Sequence, residues 1–231
     1  MTDRLPLLDH GFVRLVDHMG SDLSIVRAAR VSYDAAWRAG EDEGSDARLI
    51  RYLWKNRHTT PFEAVTLTFE VKAPIFVFRQ WHRHRTWSFN ELSARYKELP
   101  EEFYVPPPGM IGTQSKSSKQ ARDISASEDE DLLLDARRWQ AERLRAQNVA
   151  AFELYRELLA TGWPRELARS VLPVSTYSHM FATVDLRNLF GFLSERCNPH
   201  AQYEIRVYAE AMVEMARSIA PVAIAAWEES R

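Results

Sequence analysis

Val65-Thr66-Leu67-Thr68-Phe69-Glu70-Val71 sets Val, Leu, Phe and Val at alternate positions, with Thr, Thr and Glu between them. Successive side chains of a strand point to opposite faces, so this period of two predicts a strand with one apolar and one polar face. Pro74 then suits the first turn of a short helix, Ile75 to His82, whose Ile75, Phe78 and Trp81 would pack inward. An alternating strand leading into an amphipathic helix calls for a sheet and helices packed on one another.

The helix delivers Arg79-Gln80-Trp81-His82-Arg83-His84-Arg85-Thr86-Trp87-Ser88-Phe89-Asn90-Glu91-Leu92-Ser93-Ala94-Arg95-Tyr96, with four arginines and two histidines against one acid. The planar guanidinium fork suits phosphate and carboxylate, while Asn, Ser and Glu can read the hydrogen-bonding edge of a planar ring. Gln80 and Arg83 lie three apart and share a face if the helix persists. A bare basic run is best read as a solvated face or a nucleic-acid patch. Here Trp, Phe, Asn, Glu and Ser are interleaved, which suits a lined pocket. The chain as a whole carries a net charge of −2, so the positive charge is local and favours a small anionic ligand over a long polymer.

Toward the N-terminus, Phe12 to Met19 predicts a strand, and Ser21-Asp22 caps a helix carrying Ile25, Val26, Ala28 and Ala29 that ends near Ser32. Asp34 to Ser45 is a Gly- and acid-rich surface loop, and Asp46 caps a second helix through Leu49, Ile50, Leu53 and Trp54, closed by Pro61. Beyond Arg85 the chain turns extended. Phe103 to Gly109 holds three prolines in a row and cannot be helix, and 112–130 predicts a mobile surface loop. A helix follows from Leu132 to Leu159, with Leu144, Ala151, Phe152, Tyr155, Leu158 and Leu159 as its stripe and Gly162 and Pro164 as its stop. Trp163 to Arg169 adds a short helix, Val174 to Val184 a strand, and Asp185 caps a helix through Leu189, Phe192 and Leu193. His200 opens a last long helix with Tyr208, Ala211, Met212, Met215 and Ile219 on its apolar face, leaving Glu204 and Arg206 to point elsewhere.

The 231 residues fit one domain, 1–231, with 45% apolar and 27% charged residues, an ordinary globular balance. The lone Cys197 excludes an intramolecular disulfide framework and a cysteine-built zinc site, and a cytoplasmic location is the default expectation. Neither a basic leader with an apolar core nor a membrane-spanning apolar run is found, so no membrane association is expected. Zinc held by His58, His82 and His84 is disfavoured because an i,i+2 pair does not share a helix face, and no metal is expected. A triad of Ser88 or Ser93 with His84 and Glu91 lacks the G-x-S-x-G elbow that exposes a nucleophilic serine. Cys197, in a helix-rich apolar neighbourhood, reads as a small core residue and not a nucleophile.

The run from Arg83 to Tyr96, R-H-R-x-x-S-x-N-E-x-S-x-R-Y, resembles the signature of the flavin-dependent thymidylate synthases at every fixed position. Ala29-Arg30-Val31-Ser32, Arg57-His58-Thr59-Thr60-Pro61-Phe62-Glu63 and His200-Ala201-Gln202-Tyr203-Glu204-Ile205-Arg206 resemble further family segments in the same order, so the resemblance covers nearly the whole chain. It implies an α+β fold, a mostly antiparallel sheet packed with long helices, in agreement with the element reading above. It also implies a homotetramer with active sites shared between subunits. The implied activity is methylation of dUMP to dTMP with 5,10-methylenetetrahydrofolate as carbon donor and FAD carrying hydride from NADPH.

No G-x-G-x-x-G occurs among the eight glycines, so FAD would need a cradle other than a Rossmann loop. The resemblance implies flavin contacts at Ser32, His58, Thr60, Arg83, His84, Arg85, Glu91, Arg196 and His200, and dUMP contacts at Gln80, Arg83, Glu91, Ser93, Arg95 and Arg206. Arg206 is the implied catalytic residue, stabilising negative charge that develops on the uracil ring. Flavin as hydride donor requires no cysteine adduct, in keeping with the reading of Cys197. His179 stands where many family members have an arginine that reaches the nucleotide, and Ser194-Glu195-Arg196 departs from the usual segment at its start. The rival from another class is a nonenzymatic single-stranded nucleic-acid-binding domain in which Trp81, Trp87 and Phe89 of stretch 79–96 stack bases. An enzymatic rival is a related methylase acting on another pyrimidine nucleotide.

Overall fold

The computed structural model describes residues 3–124 and 130–230. In chain order the elements are β1 (Leu5–Leu7), β2 (Gly11–Met19), α1 (Asp22–Arg30), α2 (Glu43–Lys55), β3 (Thr66–Pro74), α3 (Ile75–Trp81), β4 (Ser88–Glu91), α4 (Pro108–Ile111), β5 (Thr113–Gln114) and β6 (Arg122–Asp123). There follow α5 (Glu130–Ala160), α6 (Arg165–Ala168), β7 (Tyr177–Asp185), α7 (Leu186–Arg196), α8 (Tyr203–Arg217) and α9 (Pro221–Glu228). The fold is α+β, and every strand pair in its main sheet, of order β1-β2-β3-β7-β4, is antiparallel.

The alternating strand β3 is the centre of that sheet. Its register sets Phe69 between Leu15 and Ala182 and Val71 between Val13 and Met180, and all six are buried. A slip of one residue would turn this apolar set to the other face, so burial itself specifies the register. The opposite face carries Thr68, whose hydroxyl meets that of Thr183 at 3.0 Å. It also carries Glu70, whose carboxylate accepts from Arg14, from Arg4 at 3.1 Å and from His179 at 2.8 Å.

Helices α1, α2, α3, α7, α8 and α9 and the Thr60–Ala64 turn supply the rest of the main core, with Phe62, Phe190, Tyr208 and Trp227 among its fully buried side chains. Burying each such group contributes about 1.5–3 kcal/mol. A second, smaller cluster joins α5 and α6 to the Phe103–Val105 segment through Phe103, Val105, Ala141, Phe152, Tyr155 and Ala168.

Several expectations need correction. The cap of α2 is Asp42, which accepts from the Ser45 amide at 3.0 Å, so the helix starts earlier; Asp46 is instead buried and ion-paired to Arg30 at 2.6 Å. On α5 the buried positions are Ala141, Asn148, Phe152 and Tyr155, whereas Leu144, on the same stripe, is 40% exposed. Ile219 lies past the end of α8, and α9 beyond it gave no periodic signal because Ala, Ile and Trp surround it on nearly all sides. Part of the 103–109 segment is helical after all, since Pro108 and Gly109 open α4, with Pro108 at the first position where its missing N–H costs nothing. Of the expected loop, 112–124 contains the β5–β6 hairpin, and residues 125–129 lie outside the described residues. No helix among the described residues is long and apolar enough to cross a membrane.

Candidate active site

Helix α3 stops at Trp81, and the amides of Arg83 and His84 bond back to the carbonyls of Gln80 and Trp81 at 3.2 and 2.9 Å. The chain therefore turns, then pairs with β7 as β4. Two tryptophans pin this turn: Trp81 stacks on Phe192 with centroids 4.8 Å apart, and Trp87 packs on Phe89 and Phe192 at 6.0 and 5.1 Å. Trp81 and Trp87 are 0% and 6% exposed, so neither can stack a base, which removes the nucleic-acid reading of these two indoles. Their anchoring pushes Arg83 and Arg85 outward. Because the helix ends before Arg83, Gln80 and Arg83 do not share a helical face.

His84 is the residue of the turn that points in. Its ring meets Phe192 edge-on at 4.9 Å, and its Nε2 accepts a hydrogen bond from Arg196 Nε at 3.0 Å. Burial and the Arg196 charge hold the imidazole below its usual pKa, with Glu195 at 3.8 Å opposing them. A neutral ring is what an acceptor for guanidinium requires.

Glu91, at the end of β4, accepts from the Ser178 hydroxyl at 2.7 Å and lies 4.0 Å from His82 Nε2. With Ser93 it lines a cavity of about 350 Å³ that also takes in Arg79, Arg169 and Ser178. Arg95 pairs with Glu166 at 3.4 Å, and its amide bonds the Ser93 hydroxyl at 3.3 Å. Among the described residues the side chains of Arg79, Arg83 and Arg85 have no hydrogen bond or ion pair. Of these three, Arg79 lines the Glu91 and Ser93 cavity, where an exposed, unmatched guanidinium can hold phosphate while the acid and the serine orient a neutral polar ring.

Two further groups of expected residues lie elsewhere on the chain. Ser32, His58 and Thr60 line a cavity of about 850 Å³ between the end of α1 and α2, together with Arg30, Tyr33 and Tyr52. His200 and Arg206 line a smaller one of about 180 Å³ with Gln202, Tyr203, Gln114 and Arg122. Gln202 accepts a hydrogen bond from Gln80, which links this cavity to the basic turn. Arg206 itself bonds the Pro199 carbonyl at 3.1 Å and approaches Glu210 at 3.6 Å. Glu204, which the helical pattern left pointing elsewhere, is 1% exposed and buried against Tyr104 and Arg122. A depression of about 900 Å³ lined by Arg51, Trp54, Lys55, Arg57 and Arg187 contains none of the expected residues.

His179 faces Glu70 on the other side of the sheet, while its neighbour Ser178 faces Glu91, as alternation along β7 dictates. Besides Arg79, the arginine that lines the cavity with Glu91 and Ser93 is Arg169, which no local pattern singled out; strand alternation around His179 was the signal that could have picked out Ser178.

Comparison with known proteins gives consistent matches. A family profile described as thymidylate synthase complementing protein matches residues 14–222. A flavin-dependent thymidylate synthase of Thermus thermophilus is 49% identical over 225 residues, spanning 97% of this chain and 78% of that protein. One from Gluconobacter oxydans is 46% identical over 97% of this chain and 72% of its own length. Among solved structures, a UMP/dUMP methylase, PolB from Streptomyces cacaoi bound with 5-Br dUMP, is 40% identical and superposes with a TM-score of 0.81 over 97% of each chain.

Proposed function

The chain belongs to the flavin-dependent thymidylate synthase family, and from that premise we propose that it methylates dUMP to dTMP, with 5,10-methylenetetrahydrofolate as carbon donor and NADPH as reductant. The observation that carries this reading is the complete R-H-R-x-x-S-x-N-E-x-S-x-R-Y box folded as a pinned turn, with Arg79 lining the Glu91 and Ser93 cavity and Arg79, Arg83 and Arg85 unpaired among the described residues. A nucleotide phosphate would neutralise charge that the chain leaves uncompensated, and Glu91, held by Ser178, would orient the pyrimidine edge.

The residues fit a flavin. The cavity of about 850 Å³ offers Ser32, His58 and Thr60 for the cofactor's polar edges, and Arg83 and Arg85, which lie outside that cavity, would supply charge for its diphosphate across the assembled site. When bound, FAD supplies hydride drawn from NADPH. The expected contacts are spread over separate cavities of one chain, which supports a homotetramer in which a neighbouring subunit brings the groups together. A single cysteine suits a reducing, cytoplasmic setting.

Two arginines compete to stabilise charge developing on the uracil ring. Arg196 is committed to His84 and to Glu195, which ties it to the turn as a support for the flavin end of the site. Among the described residues Arg206 meets the Pro199 carbonyl, the ring of Tyr203 and, at 3.6 Å, the exposed Glu210, with no buried partner that commits its fork as His84 commits that of Arg196; Gln202 and Gln80 link its helix to the basic turn. That difference favours Arg206 for the catalytic role. A second reading, turnover of UMP as well as dUMP, draws support from the UMP/dUMP methylase among the similar structures.

Purified protein should carry flavin absorbance and oxidise NADPH in a folate- and dUMP-dependent way, with UMP and dCMP as the comparison substrates. Colourless protein that cannot be reconstituted with FAD would sink the proposal. Arg206→Ala should abolish dTMP formation while flavin is retained. Loss of turnover confined to Arg196→Ala, with flavin content unchanged, would move the catalytic role to Arg196.

A further inference from the structure

The β5–β6 hairpin is short, polar and exposed over much of its length, yet one of its side chains reaches a buried charge. Arg122 Nη2 donates to Glu204 Oε1 at 2.8 Å, and the Tyr104 hydroxyl donates to the same oxygen at 3.1 Å. Burial and Glu204 push the Tyr104 phenol far above its ordinary pKa, so it stays protonated and donating. The guanidiniums of Arg122 and Arg206 both stand over the ring of Tyr203, at 5.8 and 5.9 Å from its centroid. Tyr203 and Glu204 open α8, and Gln202, the residue just before them, holds Gln80 of the basic turn.

We propose that Arg122 is a positioning residue for the nucleotide reaction: through Glu204 and Tyr203 it seats the β5–β6 hairpin against the start of α8 and so fixes Gln202 and Arg206 relative to the basic turn. The physical reason lies in what each partner would do alone. Glu204 is a carboxylate in the interior, and a buried charge requires a countercharge. The hairpin has two residues per strand and cannot hold itself in place, since an isolated hairpin is marginal in water. One ion pair meets both needs. It makes the hairpin, with Gln114, Gln120 and Arg122, one wall of the cavity that contains His200 and Arg206. The 112–124 segment, outside the signature box in sequence, thereby belongs to the site.

The role rests on the thymidylate synthase reading, and the test separates the two. Holoenzyme carrying Arg122→Ala or Arg122→Lys is compared with the parent for kcat and KM toward dUMP, flavin content, and trypsin cleavage at Lys116 and Lys119 of the hairpin. Arg122→Ala is expected to lower kcat on the order of tenfold with flavin retained and to speed cleavage at the hairpin, and Arg122→Lys to recover part of both. Unchanged kcat, or unchanged cleavage, in Arg122→Ala overturns the proposal. Should Arg122→Ala fail to fold, Tyr203→Leu, which removes the shared ring, is expected to lower kcat with the hairpin still protected by the ion pair; parent-level kcat there also overturns it. A parent enzyme inactive toward dUMP counts against the thymidylate reading, and the cleavage comparison then decides the hairpin contact by itself.

Discussion

Arg196 donates from its Nε to the Nε2 of His84 across 3.0 Å, joining residues 112 positions apart in the chain. The bond ties the end of α7 to the basic turn and needs an imidazole without a proton on that nitrogen. Burial and Arg196 lower the His84 pKa beneath 6.5, so the charged form is disfavoured in the folded protein. The contribution of this group to stability is therefore complete above the unfolded value of about 6.5 and is lost as pH falls from there through the folded pKa. In an NMR titration of the ring protons, His84 should show a midpoint below 6.5 that rises in Arg196→Ala. A midpoint at or above the ordinary value in the parent protein would contradict the arrangement.

Glu70 is the mirror case on the opposite face of the sheet. Burial alone would raise its pKa, but hydrogen bonds from Arg14 and His179 and the charges of Arg14 and Arg4 outweigh it and hold the carboxyl below 4.5. A depressed carboxylate stabilises the fold above its unfolded pKa and loses that contribution as pH falls through the folded one. Glu70→Gln should cost about 1–3 kcal/mol at neutral pH by urea titration. Its stability should also depend less on pH below about 4.5 than the parent's does.

Asp22 sits in the first turn of α1, yet its carboxylate accepts from the amides of Val222 and Ala223 at 2.9 and 3.0 Å. It thus caps α9 from 200 residues away in the chain. Asp22→Ala should destabilise the protein by about 1 kcal/mol, as loss of a helix cap does. For a chain of this length that corresponds to a fall in Tm of about 2–4 °C in a thermal scan. An unchanged Tm would mean that α9 is held by its buried apolar face alone.

Gly11 starts β2 where three segments converge: a Cβ there would overlap the Tyr208 hydroxyl and lie 2.7 and 2.9 Å from the carbonyls of Leu7 and Lys72. The Tyr208 hydroxyl cannot retreat without giving up its 2.7 Å bond to the Lys72 carbonyl. Gly11→Ala should cost about 1–3 kcal/mol, the usual range for overpacking. Gly109→Ala, with nothing within 4 Å of the added carbon, should be neutral or slightly stabilising in the same urea series.

The arginines, His84 and Glu91 of the signature box stood out in the sequence as candidate ligand groups, but which of them the fold commits to protein partners did not. Trp81 was expected to pack inward from its helix, but nothing local gave Trp87 the same role; in the fold both indoles are the anchors and the guanidiniums are what they project. His179 illustrates the same limit. The resemblance sets it where many relatives carry an arginine that reaches the nucleotide, and alternation along β7 turns it to Glu70 and gives Ser178 to Glu91.

The sequence by itself determined the elements whose signal is local. The period of two in β3, the caps at Ser21 and Asp185, and the prolines that bound the helices each depend on residues a few positions apart. It also marked Arg79 to Tyr96 as the place to look for a compact anion site, because local positive charge stood out against a net charge of −2. Only the tertiary structure decided which partners complete that site. Arg169 beside Glu91, Arg196 on His84, Gln202 on Gln80 and Arg122 on Glu204 come from distant segments. Their meeting follows from strand register and helix packing, and register is set by burying one whole face of β3 between β2 and β7, which is a property of the assembled sheet and of no single stretch within it.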